Sequence, residues 1–138
     1  MHYIFHGKRE AMSTIQPDVA AKAAENAVLT KATLRAAELL DITSRVLASI
    51  IGVSEATVSR MRRQDFLLER GTKPFELAVL FVRLFRSLDA IVGGDETIAR
   101  AWLKNANTAF DTAPLEKILT ITGLVDVIAY LDSRRALV

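Results

Sequence analysis

Apolar residues recur every three or four positions along most of this chain, which is the spacing of one face of a helix. No segment alternates apolar and polar residues over the length of a strand. Capping residues and glycines separate the periodic segments. The pattern predicts an all-α chain, with helix starts at Pro17, Thr30, Thr72, Asp95 and Thr112 and with breaks at Gly93-Gly94 and Gly123.

The first 16 residues lack this periodicity, and we predict a flexible N-terminal tail over residues 1–16. Its two histidines, His2 and His6, have a spacing that binds metal on a helix, but no carboxylate or cysteine completes such a site. The sequence therefore indicates no metal ion and no cofactor.

The most apolar stretch, residues 74–92, predicts a long helix that is buried on most sides. A membrane span here would bury four charged side chains in lipid, namely Glu76, Arg83, Arg86 and Asp89, so we expect no membrane span. The apolar surface of this helix is large for a small helical domain. Part of it forms either a homodimer interface or the core of a single chain, and the sequence leaves both open.

Residues 44–63, SRVLASIIGVSEATVSRMRR, have the pattern of a helix-turn-helix. Ala48 is the small residue where two helices touch, and Gly52 tolerates the backbone of the turn. Ser54 is placed to cap the second helix. The apolar residues expected to face inward are Leu47, Ile51, Val53, Val58 and Met61.

The outward residues of the second helix suit the major groove of DNA. Arg60 can donate two hydrogen bonds to guanine, while Ala56 or Thr57 can meet a thymine methyl group. Arg62 and Arg63 are expected to bind phosphates. An ordinary helical hairpin with a solvated arginine face is the alternative. The candidate DNA-binding residues are Arg45, Ser54, Glu55, Ala56, Thr57, Ser59, Arg60, Arg62 and Arg63.

Charge is unevenly distributed along the chain, although the formal net charge is only +2. Residues 44–73 hold six basic and three acidic residues, whereas residues 89–138 hold five basic and seven acidic residues. The basic middle favours a polyanion, which supports DNA as a ligand of the hairpin. The mildly acidic end indicates a different kind of partner.

Two family resemblances extend this interpretation. The segment LASIIGVSEATVSRM resembles the helix-turn-helix of Xre/Cro-like repressors, which implies dimeric binding to a palindromic operator. Residues 99–131 resemble the toxin-binding domain of the Xre/MbcA/ParS antitoxins. The matching motifs are Trp102-Leu103, Asn107, Pro114-Leu115-Glu116, the Thr120-x-x-Gly123 step and Tyr130-Leu131, while Asp111-Thr112 stand where that family carries a glycine pair.

The resemblance implies an antitoxin that blocks a RES-type toxin, an enzyme that consumes NAD⁺, and that represses its own operon. It also implies a homodimer within a hetero-oligomer with the toxin. The expected organisation is a helix-turn-helix domain with the long connecting helix over residues 17–92, followed by a small helical toxin-binding domain over residues 93–138. The candidate toxin-binding residues are Trp102, Asn107, Leu131, Arg134, Arg135 and Val138.

Several of these residues also suit simpler structural roles. Trp102 is also suited to core packing, and Asn107 is suited to holding a turn. Arg134 and Arg135 are either solvated or directed into an anion pocket of the partner.

Two other classes of function are alternatives to the antitoxin. One is a stand-alone helix-turn-helix regulator whose C-terminal half dimerises or senses a ligand. The other, an enzyme, is disfavoured because the chain has no cysteine, no histidine after His6 and no glycine-rich phosphate loop. The lack of cysteine fits the cytoplasm, where we expect the protein to associate with the nucleoid when it is bound to its operator.

Overall fold

The computed structural model describes the backbone of residues 2–137 and the side chains of residues 18–137. Within this part, all regular structure is helical apart from one isolated bridge pair, Asn107 and Thr112, so the prediction of an all-α fold is confirmed. The helices are α1 (His2–Leu39), α2 (Ser44–Ile51), α3 (Glu55–Arg62), α4 (Lys73–Ile91), α5 (Glu96–Lys104), α6 (Pro114–Lys117) and α7 (Ile121–Arg135).

The first helix differs from the sequence prediction. α1 begins at His2 and runs without a break to Leu39, whereas a flexible tail over residues 1–16 and separate helices starting at Pro17 and Thr30 were predicted. Thr30 caps nothing: its hydroxyl donates to the carbonyl of Asn26 at 2.7 Å and accepts from the backbone N–H of Leu68 at 2.9 Å. A threonine that bonds back to the preceding turn is compatible with a helix interior, and the surrounding alanines favour continuity.

α4 lies at the centre of the molecule, and its bounds agree with prediction. The hydroxyl of Thr72 accepts a hydrogen bond from the N–H of Phe75 at 3.4 Å, which caps the start. After the helix ends, Gly93 and Gly94 take positive φ angles of 62° and 80°. Such angles strain other residues, so the glycine pair is a stop signal.

One continuous core runs from the end of α1 to α7 because α4 contributes to both halves of it. This helix packs against α1 and α2 of the N-terminal half and against α5 and α7 of the C-terminal half. Phe81, Leu84 and Leu88 are fully buried along it. Most of its apolar surface is therefore covered within one chain, although Val79 stays 44% exposed.

The last helix begins before the predicted break. The hydroxyl of Thr120 accepts from the N–H of Gly123 at 3.1 Å, so Thr120 is the N-cap and Gly123 lies inside α7. A Cβ on Gly123 would stand 1.8 Å from the carbonyl oxygen of Lys117. The glycine thus permits the close contact between the end of α6 and the first turn of α7.

Candidate functional site

The turn between α2 and α3 has the geometry that the sequence predicts. Gly52 adopts φ 72° and ψ 38°, and its N–H donates to the carbonyl of Ala48 at 2.9 Å. A Cβ there would be strained by the positive φ and would meet Leu77 of α4 at 3.4 Å. Ala48 is only 5% exposed, as expected of a contact residue between the helices.

α3 buries one face and exposes the other. Val58 and Met61 are buried against the core, together with Leu47 and Ile51 of α2, whereas Val53 is only half-buried. The hydroxyl of Ser54 accepts from the N–H of Thr57 at 3.0 Å and so caps the helix, as predicted. Glu55, Ala56, Arg60, Arg62 and Arg63 are exposed, and Ser59 is half-buried.

The arginines of α3 are held by short-range contacts. Arg60 donates to the hydroxyl of Thr57 at 3.3 Å, and its guanidinium lies 5.4 Å from the centre of the Phe66 ring. Arg62 donates to the hydroxyl of Ser44 at 3.0 Å, which joins the end of α3 to the start of α2. These contacts order basic groups on an exposed helix face, a suitable arrangement for phosphates and base edges.

The other two arginines of this surface differ in their surroundings. Arg63 lies 3.5 Å from the carboxylate of Asp65, an exposed pair that water screens. Arg45 is exposed near the start of α2, and its side chain makes no hydrogen bond or ion pair with the described residues. Arg45 is therefore the more available of the two for a phosphate.

One predicted contact residue is not outward. Thr57 is only 9% exposed, and its hydroxyl is engaged by Ser54 at 2.9 Å as well as by Arg60. Its role is to fix the start of α3 and the Arg60 side chain rather than to touch a thymine methyl. Ala56 is exposed and remains the candidate for a contact with a thymine methyl group.

The C-terminal half contains a second surface, built on three aromatic rings. Trp102 of α5 stacks on Tyr130 of α7 with ring centroids 6.2 Å apart, and Phe110 meets both edge-on. The guanidinium of Arg134 lies 5.4 Å from the Tyr130 ring centre and donates to its hydroxyl at 3.2 Å. We call this the aromatic surface.

An open pocket of about 370 Å³ adjoins the aromatic surface, in the size range of small ligand or side-chain sites. Leu137 forms its outer edge and is 80% exposed. An apolar floor with an exposed leucine and an arginine at the edge is typical of a protein-binding surface. The lining residues are Leu88, Ile91, Val92, Trp102, Tyr130, Leu131, Arg134 and Leu137.

The predicted toxin-binding residues are only partly brought together. Trp102 and Arg134 line the pocket, but Leu131 is 1% exposed and belongs to the core, so it supports the surface without being available to a partner. Arg135 points to the other side of α7, towards α1 and α4. Both arginines lie inside a helix rather than in a tail, and Val138 is outside the described residues.

Asn107 holds a turn, which was the simpler of the two roles that the sequence suggested. Its side-chain oxygen accepts from the N–H of Ala109 at 2.9 Å, and its own N–H donates to the carbonyl of Thr112 at 3.1 Å. Asp111 follows with a positive φ of 58°. An aspartate can adopt this conformation where a glycine would do so easily, so the loop keeps a glycine-like backbone at this position.

Polar contacts that the sequence did not reveal join the two halves. Arg100 of α5 donates to the carbonyl of Leu39 at 2.8 Å, and Lys104 donates to Asp41 at the same distance, which lowers the pKa of Asp41. The hydroxyl of the buried Ser87 and the guanidinium of Arg83, both on α4, donate to Asp132 of α7 and lower its pKa. These partners are 45 to 63 residues apart, so no local pattern predicts them.

Two other classes of site find no support in the described residues. No group of three or more histidine, cysteine, aspartate or glutamate side chains there could hold a metal ion. Among the same residues, no helix has the length and apolar character needed to cross a membrane. The two surfaces define a helix-turn-helix with exposed arginines, followed by a helical module that carries the aromatic surface.

Comparison with protein families identifies both parts. Residues 19–83 match the antitoxin Xre-like helix-turn-helix domain, and residues 87–136 match the antitoxin Xre/MbcA/ParS C-terminal toxin-binding domain. The chain belongs to this antitoxin family. The two matches divide inside α4, upstream of the predicted boundary between residues 92 and 93. A search of curated proteins found no match.

Proposed function

We propose that this protein is the antitoxin of a type II toxin–antitoxin system that blocks a RES-type, NAD⁺-consuming toxin and represses its own operon. The observation that carries the proposal is the order of the two family matches, which join a DNA-binding helix-turn-helix to a toxin-binding domain on one chain. The exposed arginine face of α3 supports the DNA-binding part. The aromatic surface and its pocket support the toxin-binding part.

The aromatic surface is the proposed toxin contact. Trp102, Tyr130 and Leu137 supply apolar area, and the guanidinium of Arg134 is fixed beside them. Anchors of this kind contribute most of the binding energy in protein interfaces. The chain end beyond α7 then obstructs the dinucleotide site of the toxin, a site that must be electropositive to hold a diphosphate.

The operator is the proposed second ligand. Arg60 would bind guanine edges, and Arg45, Arg62 and Arg63 would neutralise phosphates. Binding as a homodimer would place two α3 helices in successive major grooves of a palindromic site, about one helical turn of DNA apart. Repression requires that the operator overlap the promoter of the operon.

The direct test is intracellular NAD⁺ in bacteria that express the toxin gene adjacent to this one. NAD⁺ should collapse with the toxin alone and recover when this protein is co-expressed. Leu137→Asp should lose protection while still repressing a reporter fused to the operon promoter, because it alters only the exposed edge of the pocket. NAD⁺ that never changes would remove the RES-type toxin from the proposal.

A truncation refines the test of obstruction. Removing residues 132–138 would also delete Asp132, whose carboxylate joins α7 to Ser87 of α4. Removing only residues 136–138 keeps all of α7. The shorter truncation also removes Leu137, so it should weaken both toxin binding and protection, and full protection by it would contradict a role for the chain end.

A stand-alone regulator is the second candidate function, and the pocket beside Trp102 is the observation that favours it. Its volume of about 370 Å³ and its apolar lining suit a small effector. This candidate predicts promoter repression that a metabolite extract relieves, with no effect of the adjacent gene product on either NAD⁺ or repression.

A further inference from the structure

A second groove lies on the opposite side of α7 from the aromatic surface. α1 and α4 form its walls, and Arg135 of α7 also lines it. Phe75 and Val82 form a buried floor, while Val28 and Val79 are 69% and 44% exposed along the walls. The cavity measures about 760 Å³. We call it the arginine groove.

Most of the charged side chains that line the arginine groove are cationic. Arg83, Arg86 and Arg135 line it, and its one acidic residue, Glu25, is paired with Arg70 at 3.2 Å. Asp132 pairs with Arg83. Arg86 and Arg135 have no carboxylate within 4.0 Å among the described side chains, so the groove presents an apolar floor between cationic edges.

We propose that the arginine groove binds an acidic amphipathic helix of a partner protein. Apolar residues at helical spacing would cover Val28, Val79 and Val82, and flanking aspartates or glutamates would pair with Arg86 and Arg135. Helix-in-groove recognition has this form, with an apolar stripe for affinity and charges that select the partner. This inference concerns a different face from the proposed toxin contact and does not depend on it.

A second copy of the chain fits the groove less well. In a twofold dimer the groove faces a second copy of itself, and the acids in or beside it, Glu25 and Asp132, are already paired with Arg70 and Arg83. A head-to-tail contact would fill each groove with the next copy and would build an open filament wherever the rotation does not close into a ring. DNA is disfavoured as well, because a nucleic-acid backbone gains nothing from an apolar floor or from the exposed valines of the walls.

The neighbouring residues Arg134 and Arg135 provide a matched pair for the test. Both are exposed near the end of α7, but Arg134 lines the pocket beside Trp102 and Arg135 lines the groove. Arg134→Glu and Arg135→Glu make the same change of charge one residue apart. Arg134→Glu should weaken toxin binding and leave binding to the groove unchanged. Arg135→Glu should weaken binding to the groove and leave toxin binding unchanged.

The experiment is fluorescence anisotropy with the full chain and a labelled synthetic peptide of about four helical turns, with leucines at helical spacing and glutamates between them. A peptide with lysine in place of every glutamate is the control probe. The glutamate peptide should bind the full chain, and the lysine peptide should not. Arg135→Glu and Arg86→Glu should each weaken binding about tenfold. Val79→Asp, at an exposed position, should do so without changing the helical circular dichroism.

Several outcomes would overturn the proposal. These are no binding of the glutamate peptide, equal binding of both peptides, or equal effects of Arg134→Glu and Arg135→Glu on peptide binding. Light scattering provides another: self-association of the chain that Val79→Asp abolishes would show that a second copy occupies the groove. Loss of toxin binding by Arg134→Glu would test the proposed function separately.

Discussion

The recognition helix depends on a single buried hydroxyl. Thr57 accepts from Arg60 and shares a hydrogen bond with the cap residue Ser54, so one small side chain fixes both the start of α3 and its central arginine. Phe66 holds the same guanidinium by its ring face. Arg60 therefore loses less side-chain entropy on binding than a free arginine would.

Arg60 and Arg63 should behave differently when each is changed to alanine. Arg60→Ala should weaken operator binding by about 1–3 kcal/mol and reduce discrimination against random DNA, because it removes a base contact. Arg63→Ala should weaken both DNAs alike and flatten the salt dependence, because it removes a phosphate contact. Anisotropy titrations on operator and random duplexes over a salt series measure both effects. An equal loss on the two duplexes for Arg60→Ala would contradict its assigned role.

Position 123 requires glycine for a steric reason. Gly123→Ala places a methyl group where it would be 1.8 Å from the Lys117 carbonyl oxygen, so the contact between α6 and α7 must open. We expect a loss of about 3 kcal/mol or more in the free energy of unfolding, measured by denaturant titration.

The matched control for Gly123 is Gly94→Ala. Gly94 has a positive φ of 80° but no atom within 4 Å of its missing Cβ, so only backbone strain applies. That strain costs about 1–2 kcal/mol. A larger loss for Gly94→Ala than for Gly123→Ala would refute the steric argument.

Residue-scale predictions succeeded where the deciding neighbours were close in sequence. Gly52, Ser54 and Thr72 follow local turn and capping rules, and the structure confirms each. The predicted helix start at Thr30 was wrong because a threonine can either cap a helix or bond within it, and its deciding partner is Leu68, 38 residues away. The predicted outward position of Thr57 was wrong for a related reason, because a residue at the edge of the buried face can be either exposed or buried.

At the scale of the element, the position of each residue around α7 decides which surface its side chain faces. Leu131 points into the core, and Arg134 and Arg135 point to different cavities, although the sequence grouped all three as toxin contacts. Successive residues on a helix are about 100° apart, so neighbours in sequence need not share a surface. The grouping required knowledge of which sides of α7 are covered by α4 and α5, which only the assembled fold supplies.

The link between α7 and α4 should be sensitive to acid. The Ser87 hydroxyl and the Arg83 guanidinium lower the pKa of Asp132, so the carboxylate stabilises the fold when it is ionised. A lowered folded-state pKa gives stability that is complete above the unfolded value of about 4 and is lost as the pH falls through the folded value.

Ser87→Ala tests this link by removing the hydroxyl donor to Asp132. Unfolding titrations across the acid range should show lower stability at neutral pH and a smaller loss of stability below about pH 4 than in the unmodified chain. Identical acid profiles for the two proteins would show that the hydrogen bond does not stabilise the ionised carboxylate.

At the scale of the whole molecule, the two functional halves are parts of one folding unit. α4 contributes to both cores, and Arg100 and Lys104 attach α5 to the end of α1. The contacts at Leu39 and Asp41 lie just before Thr43, which caps the first helix of the helix-turn-helix. A separation into independent domains at residue 92 would break both the packing of α4 against α5 and α7 and these polar contacts, so the two halves should unfold together.

Leu47→Ala tests this cooperativity because the chain has a single tryptophan, Trp102, in the C-terminal half. Leu47 is fully buried in the helix-turn-helix, and its truncation should cost about 2–5 kcal/mol. If the core is one unit, Trp102 fluorescence and far-UV circular dichroism should report the same lowered midpoint in denaturant. Leu67→Ala, at a position 44% exposed in the same half, should change the midpoint little. A Trp102 transition that stays at its original midpoint in Leu47→Ala would show that the toxin-binding half folds independently of the DNA-binding half.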